Sequence, residues 1–198
     1  IYVEQKLIGE KVGVQDQCAA AVGGLNYFEF KQDGSITYRP VIISPERKKE
    51  FKSHLMLFYT GLQRYAEDVL KEQIDKTKKG EINNDLSGIR AMVDKGYNIL
   101  TGTNNLVSFG ELLHEAWMSK KRLSSAISNN HLDIIYDKAI KCGALGGKLL
   151  GAGGGCFFLL IYPSFLSCFY KGNLPCRFQC LWPHLFYWQV YLSGCNSC

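Results

Sequence analysis

Several kinds of segment are missing from this 198-residue sequence, and each absence excludes a class of protein. No Gly-Lys-Ser/Thr run occurs, so there is no Walker-type phosphate loop, and no GxGxxG stretch opens a helix after a strand, which sets a nicotinamide-dependent dehydrogenase aside. The first residues, IYVEQKLIGEK, mix acids with lysines and hold neither an apolar core nor a small-residue cleavage site. They do not read as a secretory leader, and the expected compartment is the cytoplasm. The four histidines, His54, His114, His131 and His184, are scattered along the chain, as ordinary core or surface histidines are, and no metal site is expected from them. No internal repeat is present.

What is there is the composition of a folded globular protein, 46% hydrophobic and 21% charged. The net charge of +5 would suit an anionic ligand. Its lysines and arginines, however, lie among acids in runs such as residues 45–52, the pattern of a solvated helix face, so nucleic-acid binding is not expected and a small phosphorylated substrate fits better.

Read for secondary structure, residues 1–7 look like a strand. Residues 9–26 follow as a loop, a short Ala-rich helix and a paired-glycine stop at Gly23 and Gly24. Residues 27–30 and 35–38 flank a Gln-Asp-Gly turn and predict a hairpin. Ser44 and Pro45 open a charged helix as N-cap and first-turn proline. The run LMLFY at 55–59 suits a central strand. Helical spacing then dominates: Tyr65, Val69 and Glu72 mark one helix, Leu86, Ile89, Val93, Tyr97 and Leu100 a second, and residues 109–127 a third. A fourth runs over Leu132, Ile135 and Ala139 to a stop at Gly143. The uncharged FFLLIY at 157–162 fits a buried strand. Helices on one side of a mainly antiparallel sheet make an α+β fold.

The strongest chemical signal is GGKLLGAGGGCFFLLIY at 146–162. Gly151, Ala152, Gly153, Gly154 and Gly155 stand directly before a strand, and a loop without bulky side chains lets backbone N–H groups converge on phosphate oxygens. Lys148 would add a point charge. The alternative is a tight turn without a ligand. The second signal is GVQDQ, which places Asp16 between Gln15 and Gln17 at the start of a helix. There the positive helix end favours an ionised acid, and the amides can orient it or a sugar hydroxyl. Taken alone, a first-turn Asp is more often a cap than a base.

Together, GVQDQCAAAVGGLN, LFYTGLQR, the LLHEAW and KKRLSSAIS helix and KLLGAGGGCFF resemble, in order and spacing, the sugar kinases of the GHMP superfamily, and within it the D-glycero-D-manno-heptose 7-phosphate kinases. The resemblance covers residues 1–162. It implies a remnant of a ribosomal-S5-like N-terminal domain at 1–44, followed by a ferredoxin-like C-terminal domain at 45–162. It further implies transfer of the γ-phosphoryl group of ATP, with Mg2+, to the anomeric hydroxyl of a heptose 7-phosphate, a sugar phosphate. Asp16 would be the base or charge partner of that hydroxyl, and the loop from Gly151 to Gly155, with Lys148, would lie beside the nucleotide phosphates. Gln15, Gln17 and Gly24 would face the sugar. The family's PxxxGLGSSSA-like ATP segment, and the serine and helix acid that hold Mg2+, are expected ahead of Ile1. The family usually has a further glycine where Cys156 stands. A kinase for another sugar, or an inactive fragment of the same fold, remains a rival to the heptose enzyme.

After Tyr162 the character changes. Residues 163–198 hold only Lys171 and Arg177 as charged side chains, five of the eight cysteines and two of the three tryptophans. Such a composition resembles translation in a wrong reading frame, and this tail is expected to be non-native. Cys176, Cys180, Cys195 and Cys198 mimic zinc spacing, but the aromatic run between them does not suit a zinc module. The 22 uncharged residues 149–170 are long enough for a bilayer, yet a glycine loop opens them and Pro163 interrupts them, so no membrane span is expected.

Overall fold

The structure, a computed structural model, describes residues 1–9, 13–62, 66–151 and 153–163. The aromatic tail, with the zinc-like cysteine spacing, lies outside these residues, as do Ala152 and Tyr65.

The chain begins with a single wide helical turn, Val3–Ile8, closed by Gly9 at φ +80°. This corrects the expected strand. Apolar residues at 1, 3, 7 and 8 suggest alternation only loosely, and Tyr2, Val3, Leu7 and Ile8 are all exposed. Helix α1, Gln15–Val22, follows and stops at Gly23. Strands β1, Asn26–Phe30, and β2, Ile36–Pro40, then form the expected antiparallel hairpin, with Phe28 opposite Tyr38. Its turn is set by Asp33, whose carboxylate accepts from the Ser35 N–H at 2.8 Å, and by Gly34 at φ +82°.

Helix α2, Pro45–His54, starts as the sequence indicates, with the Ser44 hydroxyl accepting from the Arg47 N–H at 3.1 Å. It runs directly into β3, Leu55–Tyr59. Helices α3, Ala66–Lys78, α4, Asn83–Thr101, α5, Val107–Leu123, and α6, Asn130–Lys141, come next. Arg47 of α2 ties this region together. Its guanidinium donates to the carbonyls of Ile99 at 2.8 Å and Asn104 at 2.6 Å, so a cation sits where the carbonyl end of α4 is electronegative.

Strands β4, Gly146–Leu149, and β5, Phe157–Ile161, complete an antiparallel sheet of order β3-β5-β4. Here β5 is the middle strand and β3 an outer one, which corrects the central position expected for LMLFY. Burial explains the exchange: Phe158, Leu159, Leu160 and Ile161 are all buried, whereas β3 leaves Tyr59 exposed. The core joins Phe158 and Leu160 to Trp117 of α5 and Tyr136 of α6. Burying each such side chain contributes about 1.5–3 kcal/mol. This arrangement of helices against an antiparallel sheet is an α+β fold. Among the described residues, no helix is long and apolar enough to cross a membrane.

The hairpin is fastened to α4 through aromatic and charged groups. The Tyr27 hydroxyl donates to the Asp94 carboxylate at 2.8 Å, and the Arg39 guanidinium lies 4.6 Å from the ring centres of both Tyr27 and Tyr97. Burial, and then the bond to Asp94, push the Tyr27 hydroxyl up to about 12. A raised acid favours the folded state while it is protonated, so this contribution is complete below pH ~10 and is lost as pH rises through about 12. Melting the protein and its Tyr27→Phe variant from pH 8 to 12 checks this. The stability gap between them is expected to be constant up to pH ~10 and to close above it.

Candidate functional site

Asp16 lies in the first turn of α1, and its side chain is exposed. The residue ahead of the helix is Val14, and no side chain caps that end. The carboxylate is therefore not occupied as a cap. Gln15 is half-buried beside it. Gln17 turns the other way, its amide donating to the Glu4 carboxylate while its own side-chain oxygen is buried without a partner among the described residues. Gly24 is exposed at φ +75°, a conformation that glycine adopts without strain.

Lys148 approaches from the far end of the described chain. It sits on β4 opposite Leu159, and its side chain is half-buried. Burial pulls its ammonium below the usual lysine range, while the negative charge of Asp16 pulls it back up. Asp16 thus enters the electrostatics of Lys148, a cation on the strand that leads into the glycine loop.

No strand is expected from sequence between Gly143 and Phe157, but residues 146 and 147 belong to β4. A Cβ on Gly146 would lie 2.0 Å from the Gly110 carbonyl oxygen of α5, and one on Gly147 would lie 2.4 Å from the Leu159 oxygen. Gly146 lets the strand press against the helix and Gly147 lets it lie close to β5, and the loop is left to start at Gly151.

The loop is anchored at several points. The Leu150 N–H donates to the Phe157 carbonyl at 2.8 Å and the Gly154 N–H to the Ile127 carbonyl at 2.9 Å, while the Cys156 N–H reaches Leu62 at 2.8 Å. Thr60 donates to the Cys156 carbonyl through both its N–H and its hydroxyl. This narrows the expected phosphate contacts. The one donor of Gly154 is already engaged, and Gly155 is buried, with room for a Cβ only 2.8 Å from the Leu62 oxygen. Those two glycines serve packing. The open part is Gly151, exposed at φ +74° with nothing near its Cβ position, together with Gly153, half-buried at φ +133°. Ala152 lies outside the described residues.

Glu72 of α3 braces the turn behind the loop. Its carboxylate ion-pairs with Lys76 and accepts from Ser124 and Ser125, contacts that hold it down at about 2 and fix the segment bearing Ile127.

Cys156 closes the loop at φ +74°, a left-handed conformation costly for any residue with a Cβ. Cys156→Gly is expected to stabilise the protein by about 1 kcal/mol, read as a rise in the denaturant midpoint at unchanged m-value.

One cation escaped the sequence analysis. In the run of Lys120, Lys121 and Arg122 at the end of α5, Lys121 bonds Asp133 at 3.1 Å and Arg122 bonds Asp85 at 2.9 Å. The Lys120 ammonium instead donates to the Gly151 carbonyl at 2.5 Å. In sequence the three cations are equivalent, and only the tertiary fold distinguishes them. A groove of about 420 Å3, lined by Lys95, Asn98, Glu111 and Glu115 among others, contains none of these loop residues.

Residues 97–164 match the family described as GHMP kinases C terminal. The chain is 33% identical to the D-glycero-alpha-D-manno-heptose 7-phosphate kinase of Campylobacter jejuni over 82% of its own length. This part of the chain is a GHMP kinase C-terminal domain. The domain includes α5, β4, the glycine loop and β5, whereas Asp16 lies outside the matched residues. The chain spans 48% of the Campylobacter protein, about half of it. It is also 25% identical to the bifunctional fucokinase/GDP-fucose pyrophosphorylase of Arabidopsis thaliana, over 81% of this chain and 16% of that one. The fold of L. major mevalonate kinase, solved with R-mevalonate, superposes with a TM-score of 0.63 at 21% identity, covering 79% of this chain and 46% of that one.

Proposed function

We propose that the chain is the later half of an ATP-dependent sugar kinase that phosphorylates the anomeric hydroxyl of a heptose 7-phosphate in the cytoplasm. The likeness to a heptose phosphate kinase supports the substrate class, and fucose and mevalonate kinases mark the alternatives. One observation carries the reading: the glycine loop of the matched domain is open at Gly151 and Gly153 and anchored from behind at Gly154 and Cys156.

In this scheme residues 1–44 contribute the acid, residues 45–162 the phosphate-binding surface, and residues 163–198 are non-native sequence without a part in the reaction. The sugar hydroxyl oxygen attacks the γ-phosphorus, the bond to the bridging oxygen breaks, and ADP leaves. The hydroxyl proton passes to the Asp16 carboxylate. Gln15 and Gly24 face the sugar, and Lys148 balances the charge of Asp16. The open arc of Gly151 and Gly153 fits a phosphate, because no Cβ fills it. Mg2+ is not matched by the residues present: among the described residues no three His, Cys, Asp or Glu side chains converge, and no step is assigned to the metal.

Assaying ADP release with a panel of sugar phosphates and free sugars tests the proposal. Turnover is expected with heptose 7-phosphate above fucose, galactose and mevalonate. Equal turnover with a free sugar would remove the heptose assignment, and no turnover with any acceptor would favour an inactive fragment.

A further inference from the structure

The exposed arc of the loop meets the end of α5 at Lys120. We propose that Lys120 is a positioning residue of the polyphosphate site, an inference that rests on the kinase reading above. It takes the Gly151 carbonyl, at 2.5 Å, and so removes an oxygen dipole that would repel phosphate from the open side of the loop. A charge-assisted hydrogen bond of this kind is about twice as strong as a neutral one.

Three observations support the assignment. The rest of the loop is held from behind, Gly154 by Ile127 and Cys156 by Leu62 and Thr60, so Gly151 stands at the one exposed glycine of the loop among the described residues. The helix that presents Lys120 is fixed at its end, since Arg122 is paired with Asp85. Lys148, the cation foreseen from sequence, lies in the field of Asp16 on the acceptor side, which leaves the loop side to Lys120.

Binding of ATP and of inorganic tripolyphosphate to the 198-residue chain, measured calorimetrically for the protein and for three variants, tests this. Lys120→Met is expected to weaken both ligands by about 10-fold or more, and Lys120→Arg to restore affinity to within about 3-fold, because it keeps a charged donor. Lys121→Met removes the same charge one residue away and is expected to leave both affinities unchanged. An effect of net charge or of helix stability would move Lys121→Met as well. If Lys120→Met binds as the unmodified protein does, or if Lys121→Met loses as much, the positioning role is overturned while the kinase reading stands. If the unmodified protein binds neither ligand, both fall.

Discussion

On the proposed reading, replacing Asp16 by Asn is expected to lower kcat for heptose 7-phosphate by at least about 100-fold and to change ATP affinity by less than about 2-fold, in steady-state and binding assays. General-base assistance contributes about 100- to 10,000-fold, and an amide of the same shape cannot take the proton. The separation of kcat from affinity follows from the geometry. Asp16 projects from α1, whereas the open glycines and Lys120 belong to the matched domain, so the phosphate contacts survive the change. Because Asp16 is exposed and its charge in the first turn of α1 contributes only about 0.3–1 kcal/mol, the variant should melt within a few degrees of the unmodified protein. Near-normal turnover would take Asp16 out of the chemistry, whatever the family likeness.

Gly146→Ala produces the largest loss of stability. Its new methyl would stand 2.0 Å from the Gly110 oxygen and 2.9 Å from the Gly110 carbonyl carbon and the His114 Cβ, and two of these three atoms are backbone. Relief requires β4 to move off α5, which would shift Lys148 and the start of the glycine loop with it. Overpacking costs about 1–3 kcal/mol where side chains can yield. Against backbone the loss should exceed about 3 kcal/mol, or about 6–12 °C in melting temperature. Gly88→Ala in α4 is the control, because nothing lies within 4 Å of its Cβ position. There alanine should be neutral or mildly stabilising.

These variants also show what could be read without coordinates. Local rules placed the hairpin, the Ser44 cap and the helices from α2 onward, because each depends on residues only a few positions apart. The α+β class followed from their order. Strand β4 was missed because its first residues are glycines, and glycine before a glycine loop looks like more loop. Their causes are α5 beside Gly146 and β5 beside Gly147, which the local sequence pattern does not show. The opening turn reads as a strand because seven residues with loosely spaced apolar groups do not fix a period. Within the site, Asp16, Lys148 and the loop were legible as types suited to phosphate chemistry. The division of labour among the glycines was not. Whether a glycine offers its N–H to a ligand or spends it on a carbonyl such as that of Ile127 is decided by the neighbouring elements. Lys120 was hidden for the same reason, as one of three consecutive cations that differ only in where the fold sends them.

The proximity of Asp16 and Lys148 can be tested without turnover. A heteronuclear magnetic-resonance titration of the Lys148 side-chain ammonium, in the protein and in Asp16→Asn, measures whether the acid of the first helix and the strand before the loop feel each other. The Lys148 pKa is expected below that of an ordinary lysine, and to drop further when Asp16 loses its charge. A Lys148 titration that is the same in both proteins would mean that acid and loop do not share a site.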